Sequence, residues 1–90
     1  MNRLQNKVAI ITGGNSGVGA ATAKLFAQEG ANVVITARRA DKLKEVAQAI
    51  EANGGNVLTV TTDISKLEDC ERLVDVVNES FGSVDILVNN

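Results

Sequence analysis

A chain of 90 residues, 44% hydrophobic and 22% charged, has the composition of an ordinary globular domain and the length for one core, which excludes disordered, collagenous and disulfide-scaffold classes. Nine Lys and Arg against eleven Asp and Glu leave a net charge of -2, so no overall field draws the protein to nucleic acid or an anionic membrane, and neither partner is expected. One Cys and no His exclude an internal disulfide and a His/Cys metal site, and remove the usual acid/base residue of neutral-pH catalysis.

The chain opens Met1-Asn2-Arg3 without an apolar signal core, and its longest early apolar run, Val8-Ala9-Ile10-Ile11, is far short of the roughly 18 residues a membrane span needs. A cytoplasmic protein is expected. That run reads as the first strand, and its continuous apolar character fits a parallel sheet buried on both faces. A first helix follows, with Val18, Ala21, Leu25 and Phe26, and then a second strand at Val33-Val34-Ile35. The second helix carries Leu43, Val46, Ala47 and Ile50 on one face, ahead of a third strand at Val57-Leu58-Thr59-Val60. Leu67, Cys70, Val74, Val77 and Phe81 then recur at helical spacing, with Ser65-Lys66-Leu67-Glu68 as a capping box, and a fourth strand is expected over Val84–Val88. Gly30, Gly54, Gly55 and Gly82 each follow a helix, where a left-handed cap favours glycine.

This alternation predicts an α/β fold, a Rossmann-like doubly wound parallel sheet in β-α-β-α-β-α-β succession, with right-handed crossovers and strand order 3-2-1-4. A single unit over residues 1–90 is expected. Four more glycines crowd the turn Thr12-Gly13-Gly14-Asn15-Ser16-Gly17-Val18-Gly19 between the first strand and first helix. A merely permissive turn needs one or two. At the carboxyl end of a central strand, backbone N–H groups and the positive helix end favour a phosphate, so the loop is read as a nucleotide site. The spacing is G-x-x-x-G-x-G rather than G-x-G-x-x-G, and the Gly-Lys-Ser/Thr of a P-loop is missing.

Thr12-Gly13-x-x-x-Gly17-x-Gly19, Asp63-Ile64 after the third strand, and Asp85-Ile86-Leu87-Val88-Asn89-Asn90 together resemble the short-chain dehydrogenase/reductase family. The resemblance runs along the whole chain but spans well under half of a usual member. It implies an NAD(P)-dependent oxidoreductase that moves hydride between a nicotinamide and an alcohol or carbonyl, with a homo-oligomer expected for the complete enzyme. By position it assigns Gly13, Asn15, Ser16, Gly17, Val18 and Gly19 to the pyrophosphate and adenosine ribose, Asp63 to the adenine amino group, Ile64 to the ring face and Asn90 to the nicotinamide-side ribose. Taken singly, Asp63 also reads as a loop acid and Asn89 and Asn90 as polar strand-end residues. The family's catalytic Ser, Tyr and Lys have no counterpart here; with no tyrosine in the chain, no catalytic residue is assigned and the 90 residues alone are expected to be inactive.

Cofactor choice is read at Ile35-Thr36-Ala37-Arg38-Arg39. NAD readers place an acid near the end of the second strand, whereas NADP readers replace it and supply a cation. By resemblance Ala37 takes the acidic position and Arg38 follows it. A solvated helix start is the plainer reading of Arg38, Arg39, Lys42 and Lys44, but cations there oppose the helix dipole. NADP is therefore expected over NAD, although Ser16 stands where many NADP-using members carry a second cation. A non-catalytic dinucleotide-binding module is the alternative. Methyltransferase and receiver-type readings lack the acids they need, and Cys70 is read as a small buried hydrophobe.

Overall fold

A computed structural model describes residues 3–13 and 17–89 of the chain. The elements run β1 (Val8–Thr12), α1 (Gly17–Gln28), β2 (Asn32–Ala37), α2 (Ala40–Ala52), β3 (Asn56–Thr61), α3 (Leu67–Phe81) and β4 (Ile86–Asn89). All pairings are parallel and the sheet order is β3-β2-β1-β4, as expected. β1 and β2 stand in register from Val8 opposite Asn32 to Thr12 opposite Thr36, which brings their carboxyl ends level.

Strand alternation divides the core in two. Ile11, Val33 and Ile35 face one side of the sheet, where they pack with Ala23 of α1 and with Leu43, Val46, Ala47 and Ile50 of α2. Val8, Ile10 and Val34 face the other, against Val60 of β3 and against Leu73 and Val77 of α3. Helices on both faces are the geometric result of strand order: the chain moves outward through β2 and β3, then returns past β1 to reach β4, so right-handed crossovers put α3 opposite the first two helices.

The last strand starts later than expected. Val84 and Asp85 lie outside it because Asp85 makes a different bond: the Val8 N–H donates to Asp85 Oδ2 at 2.8 Å while the Asp85 N–H donates to the Val8 carbonyl at 2.9 Å. One side chain thereby completes the start of the β1–β4 ladder. The apolar stripes also need correction. Val18 (72% exposed), Leu25, Leu67 (74% exposed) and Val74 face outward, while Leu73, which the expected α3 stripe omitted, is buried. Periodicity identifies an apolar face, but which of its residues meet the sheet depends on how the helix is turned against it, and in α3 these are Leu73 and Val77.

Two helices end in the same hydrogen-bond pattern. After α2, Gly54 N–H donates to Glu51 and Gly55 N–H to Ile50; after α1, Gly30 N–H donates to Ala27 and Ala31 N–H to Phe26, the two bonds of a Schellman motif in each case. Gly30, Gly54 and Gly82 adopt the expected left-handed φ, but Gly55 does not. Its glycine serves close approach instead: a Cβ there would lie 2.7 Å from Ile50 Cγ2 and 3.1 Å from Ala27 Cβ. Ile50 is β-branched and buried, so it has little room to yield. Gly55→Ala is expected to cost about 1–3 kcal/mol through overpacking, measured as a drop in stability by chemical denaturation with an unchanged m-value.

Candidate functional site

Parallel strands with both faces buried leave few places for polar side chains, and the first ones appear where the strands end. Thr12, Thr36 and Thr62 are all buried at the carboxyl edge of the sheet. The Thr12 hydroxyl lies 3.1 Å from Asn89 Oδ1 and 3.3 Å from the Val88 carbonyl, which joins the end of β1 to that of β4. Thr36 and Thr62 pair hydroxyl to hydroxyl, which joins the end of β2 to the residue after β3. Thr36 also receives the Gly13 N–H on its carbonyl at 2.8 Å, so the first residue of the glycine turn hangs from β2. Gly13 has φ 67, a left-handed conformation that a side chain would strain.

Above this floor opens a cleft of about 510 Å³ lined by Gly13, Thr36, Ala37, Arg38, Arg39, Thr62, Asp63, Ile64 and Ser65. Of the expected site residues, Gly13, Arg38, Asp63 and Ile64 meet in it. Gly17 begins α1 with φ 56, Val18 is exposed and Gly19 is buried in the helix. Asn15, Ser16 and Asn90 lie outside the described residues. Among the described residues there is no cluster of His, Cys, Asp and Glu that could hold a metal ion, and no helix long and apolar enough to cross a membrane.

The two neighbouring arginines differ. Arg39 is the N-terminal boundary residue of α2 and its Nη2 lies 3.1 Å from Asp41 Oδ2, which holds the Asp41 carboxyl below its ordinary value. Arg38 has no hydrogen bond or ion pair among the described residues and carries its charge into the cleft rim near Asp63. The helix-start reading therefore describes Arg39 and leaves Arg38 unspent.

The expected capping box of α3 is not formed. Lys66 occupies the cap without a side-chain hydrogen bond, because the Ser65 hydroxyl is engaged elsewhere: it donates to Asp63 Oδ1 at 2.6 Å, and the Ser65 N–H donates to the same oxygen at 3.0 Å. Asp63 Oδ2 makes no hydrogen bond among the described residues. The Ser65 hydroxyl first, and then its backbone N–H, hold the Asp63 carboxyl below its ordinary 3.8, with Arg38 and Lys66 adding to the effect and partial desolvation opposing it. A lowered folded-state pKa stabilises the fold above the unfolded value, and that contribution is lost as pH falls through the folded value. Cys70, expected to be buried, is half-buried and donates to the Ile64 carbonyl at 3.3 Å.

Sequence reasoning missed the Thr36–Thr62 pair and Asp69, whose Oδ2 accepts the Asp63 N–H at 2.7 Å. Hydroxyl residues just past each apolar run, Thr36 after Ile35 and Thr61-Thr62 after Val60, were the available signal for the first. For the second there was none, since an acid in the first turn of a helix usually serves its own helix.

A cleft at the carboxyl edge of a parallel sheet, beside a glycine turn that opens a helix, defines a Rossmann-like α/β protein. Residues 7–90 match the short chain dehydrogenase family, and the chain belongs to it. An uncharacterized oxidoreductase of Listeria monocytogenes is 46% identical over 97% of this chain and 35% of its own length. Among solved structures, the citronellol catabolism dehydrogenase of Pseudomonas aeruginosa superposes with a TM-score of 0.97 at 37% identity, covering 99% of this chain and 37% of that one. A metagenomic short-chain oxidoreductase in complex with NADP gives 0.93 at 38% identity, covering 97% and 39%. The chain thus spans about a third of the length of the relatives it matches.

Two outcomes test this geometry. Thr36→Val or Thr62→Val alone orphans a buried hydroxyl and is expected to cost about 1–3 kcal/mol, while the double variant costs less than the sum; urea unfolding of the cycle measures it. Ser65→Ala removes the main bond to Asp63, so the Asp63 titration followed by carboxyl NMR moves upward toward 3.8.

Proposed function

We propose that residues 1–90 form the NADP-binding domain of a short-chain oxidoreductase. The observation that carries this reading is that Arg38, with no hydrogen bond or ion pair among the described residues, shares with Asp63 a cleft whose glycine turn hangs from the end of β2. The residues present fit a phosphorylated adenosine dinucleotide. Gly13, Asn15, Ser16, Gly17, Val18 and Gly19 would surround the pyrophosphate, with the N-terminal end of α1 supplying positive potential. Arg38 would meet the 2'-phosphate through a charge-assisted contact, and Ala37 leaves that position without the carboxylate that would repel it. Asp63 has one carboxylate oxygen committed to Ser65 and the other available for the adenine amino group. Ile64, exposed on the cleft wall, would cover the ring, and Asn90 would meet the second ribose.

When bound, the cofactor supplies a nicotinamide that exchanges hydride with an alcohol or carbonyl. These 90 residues contain no tyrosine, so the acid/base phenol of the family is assigned to the rest of the whole protein. The NADP complex of the metagenomic relative supports a phosphorylated cofactor.

Titration calorimetry with NADP and NAD tests the assignment. Arg38→Ala is expected to weaken NADP binding about tenfold, the lower end for an exposed charge-assisted contact, with NAD nearly unchanged. Ala37→Asp is expected to turn the preference toward NAD. An unchanged NADP-to-NAD affinity ratio in Arg38→Ala would remove Arg38 as the phosphate reader.

A further inference from the structure

The turn between β3 and α3 carries Asp63 and Ile64, yet α3 has no side-chain cap of its own. What holds the turn comes from further along the helix. Asp69, in the first turn of α3, reaches back past the cap residue and accepts the Asp63 N–H on Oδ2 at 2.7 Å. Its other oxygen lies 3.8 Å from Arg72 Nη2, and that guanidinium donates to the Thr61 carbonyl at 2.6 Å. Residues 61 and 63 are therefore both gripped by one acid–base pair, on either side of the buried Thr62.

A partly exposed i,i+3 ion pair contributes little to helix stability by itself. A carboxylate at this helix position ordinarily satisfies N–H groups at its own helix terminus. Here both members spend hydrogen bonds on the backbone of the preceding turn instead. The grip is also complementary to Ser65, which fixes the Asp63 side chain while Asp69 fixes its backbone. With main chain and Oδ1 both held, the direction of the available Oδ2 is set before any ligand arrives.

We propose that Asp69 is a positioning residue for Asp63, with Arg72 holding Asp69, and that this pair sets how strongly the cleft selects an adenine base. The inference rests on the reading of Asp63 as the acceptor of the adenine amino group. An acceptor fixed in place favours a 6-amino base and opposes a 6-oxo base, whose oxygen would face the carboxylate. Discrimination of this kind needs the oxygen held in direction as well as present.

The test is calorimetric titration of the chain with NADP and with its hypoxanthine analogue, in which oxygen replaces the amino group. The unsubstituted chain should prefer NADP, and Asp63→Ala should abolish the preference. Asp69→Ala is expected to reduce the preference about three- to tenfold, the range for coupled neighbours. Asp69→Asn, which keeps an acceptor oxygen, should retain most of it. Arg72→Met leaves Asp69 in place and should lower the preference in the same direction by a smaller factor, so it carries the test should Asp69→Ala fail to fold. A purely structural role would weaken both ligands equally and leave the ratio unchanged, and that result in Asp69→Ala or, in its stead, Arg72→Met overturns the proposal. No preference in the unsubstituted chain, or an unchanged one in Asp63→Ala, overturns the reading of Asp63 itself and the inference with it.

Discussion

Burial of β1 and β2 on both faces is the constraint from which the rest follows. Every residue of β1 is buried, as are Val33 to Thr36 of β2, so neither strand can present a charged group along its length without a desolvation cost that nothing nearby would offset. Chemistry is therefore displaced to the strand ends. The level register of β1 and β2, and of β2 with β3, brings those ends together at one edge.

At that edge, the problem becomes one of satisfying polar groups in a nearly dry layer. The hydroxyls of Thr12, Thr36 and Thr62 answer it by bonding across strands rather than within them. The consequence is mechanical as well as energetic, because these bonds tie strand ends and the loops after them to neighbouring strands. Gly13 hangs from Thr36, and Asn89 meets Thr12. A cleft assembled from three loops thereby acquires a floor continuous with the rigid sheet, which is the condition under which a binding site can be organised before its ligand arrives.

The other side of the same economy is incomplete coverage. β4 pairs only with β1 among the described residues, and Leu87 is 65% exposed. Around it, Ile10, Leu73, Val74 and Val84 line an apolar hollow on the α3 face. Among the described residues the sheet's two flanks differ: the α1 and α2 face is closely covered, the α3 face only in part.

Much of this was legible from residue order. Continuous β-branched runs alternating with amphipathic segments determine the succession of strands and helices, and Gly30, Gly54 and Gly82 mark where helices stop, because φ and hydrophobic period are properties of a few neighbouring residues. Of the residues singled out after the first and third runs, Gly13, Asp63 and Ile64 come together in the cleft at the carboxyl edge of the sheet. Tertiary structure decided what depends on the packed arrangement: that Gly55 is needed for Ile50 rather than for a left-handed turn, that Ser65 serves Asp63 instead of capping α3, and that Arg39 is spent on Asp41 while Arg38 lines the cleft. A hydrogen-bonding side chain has several partners within local reach, and only the packed fold chooses among them, because it fixes which donors and acceptors can still be met once water has been excluded.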